Sequence, residues 1–358
     1  MISRLRVLVP SSISSYVPKI GHGFVSSRYV SSLPEPCESS DESGLEDEIE
    51  WNNLGFHLMK TDYMYMMKCE KDDEFKQGQL NRYGNIELSP SAAVLNYGQN
   101  AIRMQFGAER MCMPSPSISQ FVDAVKQTAL ANRRWIPPPG KGSLYIRPLL
   151  IGTGPVLGLA PAPDYTFLVY ASPVGNYFKG GSAPLNLYVE DEFHRAMHGG
   201  AGGVKSITNY APVLKAINKA KDRGFSDVLY LDSATKRNIE EVSSCNVFIV
   251  KNNVLSTPES NGNILQGVTR KSIIEIASDM GYKVEERCIP IEELIDADEV
   301  FCTGTAVGVA PVGSISYKGK RTEYKMSNQL ACLKLYSRLV GIQNGIIEDK
   351  REWVIQID

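Results

Sequence analysis

The first 34 residues contain no aspartate or glutamate, in a chain of 358 that carries 40 of them further on against 38 lysines and arginines in total. That opening stretch is rich in serine and holds Arg4, Arg6, Lys19 and Arg28. Such a composition is that of an organellar transit peptide, and MISRLRVLVP can form a short basic amphipathic turn or two. The deficit then reverses. Residues 35–50 (EPCESSDESGLEDEIE) are strongly acidic and read as a solvated linker, so folding is expected to begin near Trp51.

Other absences narrow the class. The seven cysteines are scattered with no C-x-x-C among them, which argues against a disulfide framework or a zinc ribbon and fits free thiols in a reducing compartment. Histidine is scarce, at four residues. His194 and His198 have the i, i+4 spacing of a metal-binding helix, but HRAMH has no glutamate between them and no third ligand close in sequence, so no metal is expected. No apolar run reaches the length of a bilayer span. A net charge of −2 gives no field to draw nucleic acid or an anionic membrane, and neither is expected as a partner. There is no internal repeat.

What is present is a mixed series of elements. Ser117 to Trp135 places Ile118, Phe121, Val122 and Val125 at helical spacing, ended by Pro137, Pro138, Pro139 and Gly140. SLYIRPLLIG (143–152), YTFLVYASPVG (165–175) and LNLYVED (185–191) read as strands. A helix from about Val213 stops at Gly224, followed by the strand DVLYLD (227–232). CNVFIV and VLSTP flank a hairpin turn at Asn252–Asn253. A helix over Thr269–Met280, the strand YKVEER, a short helix IEELIDA, the strand EVFCTGTA and a last helix near 326–342 complete the chain. Hairpins mixed with helices predict an α+β fold and not a regular parallel wind. The length predicts two domains, a smaller one over 51–172 and a larger one over 186–358, joined by a Gly/Pro/Ser-rich loop at 173–185.

One stretch carries chemistry: GGAGGVKSITNYAP (199–212) sets a single lysine, Lys205, among glycines with no other charge nearby. A lysine taken out of water loses its proton more easily, and a neutral amine can form a Schiff base. Glycines allow a flat ligand close to the backbone. A surface turn ahead of a helix would look the same, and the residues alone leave both readings open.

The surrounding motifs narrow them. GAERMCMPSPS (107–117), the run 135–163, PVGNYF (173–178), GGVKSITNYAPVLKA (202–216), GFSDVLYLD (224–232), IEEVSSCNVFIVKNN (239–253), ILQGVTRKSIIEIA (264–277) and DEVFCTGTA (298–306) together resemble the branched-chain amino-acid aminotransferases, plant organellar members above all. The resemblance runs from about Trp51 to the C-terminus and implies a two-domain, fold-type IV, D-amino-acid-aminotransferase-like architecture using pyridoxal 5'-phosphate. It implies that Lys205 is the Schiff-base and proton-shuttling lysine, that Tyr210 meets the cofactor's phenolic oxygen, and that Glu241 meets the pyridine nitrogen with Ser244 beside the ring. Arg103, Val268, Thr269 and Thr305 would hold the phosphate; Tyr145, Arg147 and Tyr177 would line the substrate pocket; Thr305 and Ala306 would face the substrate carboxylate. The implied reaction is reversible amino transfer between leucine, isoleucine or valine and 2-oxoglutarate, with the matching 2-oxo acids and glutamate as products. The implied assembly is a homodimer in the mitochondrial matrix, with the plastid as alternative.

Two departures stand out. A C-x-x-C that some animal members carry after the Gly-Thr-Ala turn is replaced here by Val307 and Ala310. Between Gln99 and Asn100 the family's motifs are joined directly, with roughly twenty residues, a hairpin's worth of chain, left out. That junction is expected to open the small-domain core and to leave Arg103 hard to place. It keeps alive the alternative of an impaired isoform that binds cofactor or pairs with intact paralogues. A D-amino-acid aminotransferase or an aminodeoxychorismate lyase is the other alternative within the fold, opposed by LYIRP and PVGNYF.

Overall fold

The structure, a computed structural model, describes residues 5–8, 63–66, 79–82, 84–87, 101–137, 142–152, 157–174 and 183–357. The chain divides into two compact units. One comprises residues 11–85 and 155–160, and what is described of it includes an antiparallel pair, β2 (Tyr63–Met66) with β3 (Gln79–Arg82). The other holds residues 1–10, 86–154 and 161–358 and contains everything below.

Near its N-terminal side, β1 (Leu5–Leu8) pairs antiparallel with β15 (Val354–Ile357). A helical turn was expected there; β15 offers an open edge, and pairing satisfies the backbone of both segments. Helix α1 (Ala101–Arg110) follows, then α2 (Ile118–Ala131). A capping box opens α2: Gln120 N–H donates to Ser117 Oγ at 3.2 Å and Ser117 N–H to Gln120 Oε1 at 2.9 Å. The helix ends four residues earlier than the sequence suggests, and a single 3-10 turn, Arg133–Trp135, takes up the rest. β4 (Ser143–Gly152) and β5 (Tyr165–Val174), the strands expected from their branched and aromatic residues, pair along their full length as an antiparallel ribbon. Met104, Phe121 and Val125 pack on one face of it, against Ile146, Leu150, Phe167 and Val169.

The remainder is a nine-stranded mixed sheet with helices on it, the α+β arrangement expected. Its elements in chain order are β6 (Leu185–Glu190), α3 (Leu214–Asp222), β7 (Asp227–Leu231), β8 (Ile239–Val242), β9 (Asn246–Lys251), β10 (Val254–Thr257), α4 (Val268–Asp279), β11 (Lys283–Glu286), α5 (Ile291–Ile295), β12 (Glu299–Gly304), β13 (Gly308–Tyr317), β14 (Lys320–Glu323) and α6 (Ala331–Gln343). The strand order is β11-β10-β9-β12-β13-β6-β7-β8, with β14 on β13. The β13–β6, β6–β7 and β10–β11 pairs are parallel and the others antiparallel. Asn252 and Asn253, both at positive φ (50° and 64°), make the tight turn from β9 to β10.

Successive residues of the central strands feed opposite cores, as a pleated strand requires. Val247 and Ile249 join Val300 and Cys302 on the face covered by α5, while Phe248 and Phe301 face α4 and α6. Those two phenyl rings are direct cross-strand partners and stack at 5.0 Å, 4° from parallel. The site lies where β8, the start of β9, the head of α4 and the end of β12 meet.

Candidate active site

Lys205 is placed by a loop with little room to shift. A Cβ on Gly202 would strike the carbonyl oxygen of Asn263 and Ala196, and one on Gly203 would crowd the carbonyl of Gly262, so the loop lies directly on the 261–263 turn. Asn263 Nδ2 donates in turn to Glu240 Oε1 of β8 at 3.0 Å. From the other side the buried Asn209 donates through Nδ2 to the carbonyls of Ala201 and Val204, at 2.6 and 2.7 Å. Lys205 Nζ donates to the Tyr210 hydroxyl at 3.0 Å. Burial first, then the guanidinium groups of Arg103, Arg147 and Arg195, pull the Lys205 ammonium down to about 7, against an opposing pull from Glu241.

Glu241 stands on β8 with its side chain 3% exposed. Its Oε1 accepts Arg195 Nη1–H at 2.5 Å and Leu265 N–H at 3.0 Å, which leaves Oε2 to the cavity that Glu241 lines. Burial raises its carboxyl to about 7 even so; Arg195, the Leu265 N–H and Lys205 oppose the rise, and neighbouring Glu240 adds to it.

Helix α4 begins at the same cavity. Gly267 precedes it without a side-chain cap, and Val268 and Thr269 are its first two residues. Amides at the head of a helix have no intrahelical acceptor and bind anions. A Cβ at Gly267 would collide with Asn246 Oδ1, and Asn246 Nδ2 ties down the Leu265 carbonyl at 2.9 Å. The turn from β12 into β13 brings Thr303, Gly304, Thr305 and Ala306 to the wall. The buried Thr303 hydroxyl there has no hydrogen-bond partner among the described residues.

The ribbon contributes Tyr145 and Arg147, two apart on β4 and therefore on one face, the guanidinium 5.1 Å from the ring centre. Arg103 comes from α1 and lines the same cavity, where burial lowers its pKa while Tyr210 and Tyr145 oppose. The expected displacement of Arg103 is not what is seen. The helix is seated by its own contacts: Met104 and Ala108 are buried, a Cβ on Gly107 would press on Val204, and Arg110 Nη2 donates to the Gly199 carbonyl at 3.2 Å. These contacts lie downstream of the Gln99–Asn100 junction, which is outside the described residues.

One cavity thus gathers Arg103, Tyr145, Arg147, Lys205, Tyr210, Glu241, Ser244, Val268, Thr269, Thr305 and Ala306. Tyr177 lies outside the described residues. A flat, phosphorylated aldehyde cofactor fits the set: an amine at one point, a carboxylate oxygen at another, and a helix head with a crowded glycine and an orphaned hydroxyl at a third. Arginines and lysine outnumber the single lining carboxylate, which suits anionic ligands.

The pattern of the amino-transferase class IV family matches residues 92–315. The chain belongs to that family. The chloroplastic branched-chain-amino-acid aminotransferase 2 of Arabidopsis thaliana is 64% identical over 334 residues, covering 87% of this chain and 86% of the relative. The mitochondrial branched-chain amino acid aminotransferase 1 of Humulus lupulus is 59% identical over 374 residues, covering 97% and 95%. A solved structure of the T.th. branched-chain amino acid aminotransferase with pyridoxamine 5'-phosphate superposes with a TM-score of 0.63 at 27% identity, covering 72% of this chain and 82% of that one. This class IV aminotransferase is therefore an enzyme of the pyridoxal-phosphate-dependent transferases, related to the branched-chain group. The Arabidopsis alignment spans 334 positions yet takes up 87% of these 358 residues, so it opens gaps in this chain.

Sequence reasoning missed Arg195, Asn209, Asn246 and Gly267. Arg195 sat inside the HRAMH run weighed for metal. Residues 194–198 form no helix, so the two histidines do not share a helical face, and the arginine between them is the buried residue of consequence.

Proposed function

We propose that this class IV aminotransferase catalyses reversible amino transfer between L-leucine, L-isoleucine or L-valine and 2-oxoglutarate, with pyridoxal 5'-phosphate held on Lys205. The observation that carries the reading is the convergence of one amine, one buried carboxylate, a helix head and three arginines on a single cavity, in a chain with close branched-chain relatives.

Bound pyridoxal phosphate supplies an aldehyde and an electron-accepting ring. Lys205, at about 7, is divided between amine and ammonium at neutral pH, the state suited to a nucleophile that also carries a proton. Its Nζ would carry the proton taken from the substrate Cα and give it back within the bound cofactor's reach. Glu241 Oε2 would keep a proton on the ring nitrogen, Ser244 would stand beside the ring, and Tyr210 would hold the phenolic oxygen. The Val268 and Thr269 amides, Thr305 and Arg103 would hold its phosphate. Tyr145, Arg147 and Tyr177 line the side-chain pocket, and the Thr305–Ala306 turn faces the substrate carboxylate. A wall of this kind separates substrates by only about 1–3 kcal/mol per methylene, so the three branched acids are handled alike.

The test is the visible spectrum of the purified protein with pyridoxal phosphate. L-leucine bleaches the bound-cofactor band and 2-oxoglutarate restores it, while D-alanine and aminodeoxychorismate leave it unchanged. Bleaching by D-alanine alone overturns the substrate assignment. The gaps opened in the relatives' alignment favour a second reading, an impaired isoform in which the missing segment lies at Gln99–Asn100; a band that forms but never bleaches selects it. The relatives' names support an organellar address. We place the protein in the mitochondrial matrix as a homodimer, with the plastid as alternative, checked by imaging a fluorescent fusion and by light scattering.

A further inference from the structure

We infer that Arg195 is a positioning residue for the amino-transfer step, clamping one oxygen of Glu241 so that the other is presented, ionised, to the cofactor ring. The inference rests on the reading of Glu241 given above. Three observations carry it. Both donors to Glu241, Arg195 Nη1 and the Leu265 amide, converge on Oε1. The two charged side chains are 1% and 3% exposed, so water cannot stand in for either. The Arg195 guanidinium also lies 5.8 Å from the ring of Tyr210, the residue that accepts from Lys205, and its Nε–H reaches the Ser243 carbonyl at 3.4 Å. One cation thus spans the carboxylate and the tyrosine flanking the reacting lysine.

A fully buried carboxylate without this partner takes up a proton, and a neutral carboxyl cannot hold the ring nitrogen protonated. The groups facing Glu241 are Arg195, the Leu265 amide, Glu240 and Lys205. Arg195 and the Leu265 amide both favour the anion and Glu240 opposes it, so loss of Arg195 leaves one amide and the smaller pull of Lys205 against burial. A buried ion pair is weak evidence for stability; its worth here is the charge state it enforces.

The test uses the full chain loaded with pyridoxal phosphate. Single-turnover reaction with L-leucine is measured for Arg195→Met, Arg195→Lys, Glu241→Gln and the double variant Arg195→Met/Glu241→Gln, alongside cofactor Kd and the pH dependence of the visible band. Arg195→Met slows the reaction by about 10- to 100-fold, the scale on which outer partners act, with little change in the half-saturating leucine concentration. Its acidic limb moves to higher pH, and Arg195→Lys recovers part of the rate. Added to Glu241→Gln, the Arg195→Met change has little further effect, as required of a residue acting through its partner. If Arg195→Met does not fold, the double variant, which leaves no unpaired carboxylate, carries the comparison with Glu241→Gln. An Arg195→Met protein with normal rate and pH profile overturns the inference, as does an undiminished Arg195→Met loss in the Glu241→Gln background. A normal rate in Glu241→Gln overturns instead the reading of Glu241 itself.

Discussion

The β4–β5 ribbon and the nine-stranded sheet both supply residues to the cavity, but they are built differently. Every residue of β7 and of β8 is buried, whereas β5 has no fully buried position and β4 has two. The sheet side supplies the groups whose pKa burial shifts most toward neutrality, Glu241 and, from the loop lying on the 261–263 turn, Lys205. The ribbon supplies Tyr145 and Arg147, which stand on one face of β4 and line the cavity wall. Chemistry that depends on pKa needs neighbours that exclude water from all sides; recognition tolerates a half-wetted wall. The division matches the physical demands of each task.

Several changes break or sharpen this contrast. The largest effect comes from Lys205→Ala, which removes the proposed nucleophile and proton carrier together and lowers the single-turnover rate with L-leucine by at least about 10³-fold. The pH profile comes next. Lys205 and Glu241 both stand at about 7, and both reach their working form, neutral amine and carboxylate, above that value. The single-turnover rate therefore rises with pH through about 7, and it falls about tenfold or more per unit below; a flat profile across this window would show that neither group limits the step. Third is a pair of core truncations read by chemical denaturation. Phe301→Ala, fully buried in the sheet, costs about 3–5 kcal/mol, while Phe167→Ala on the half-buried ribbon costs about 1–2 kcal/mol. Equal losses would erase the distinction between the two regions. Asn209→Ala costs about 1–3 kcal/mol because the Ala201 and Val204 carbonyls lose their donor, and it weakens cofactor binding as well, measured by absorbance titration. The smallest effect is Arg321→Ala: its pair with Glu323 is exposed at both ends and contributes less than about 1 kcal/mol.

Much of this was legible in the sequence, and the reason differs from element to element. The β9–β10 hairpin announces itself through β-branched runs around Asn252–Asn253, because only residues tolerant of positive φ make that turn. The ribbon strands show as aromatic and branched runs. By contrast β8, whose sequence is IEEV, carries two acids in succession and all four of its residues are buried. No local pattern marks that strand, since what permits it is Arg195, 46 residues earlier, and Asn263, 23 later. β13 hid behind Gly308, Pro311 and Gly313, which ordinarily signal loops, although it pairs with β12, β6 and β14. The cavity residues were found through motif resemblance, whereas their second partners, Asn209 and Asn246, have only geometry to reveal them. A short amide side chain that bonds a carbonyl five residues away looks like any other turn residue in sequence.

The cavity is assembled from α1, β4, the lysine loop, β8, the head of α4 and the end of β12, elements spread across two hundred residues of chain. Contacts of such sequence separation form late and slowly, because loop closure must come first. A partly folded chain that lacks any one of these elements therefore offers the cofactor an incomplete site. Once loaded, the cofactor acts as a thermodynamic brake on unfolding: at a hundredfold excess over Kd a ligand adds about 2.7 kcal/mol to the native state. Depletion of the cofactor would lower the folded population of this enzyme through the same equilibrium.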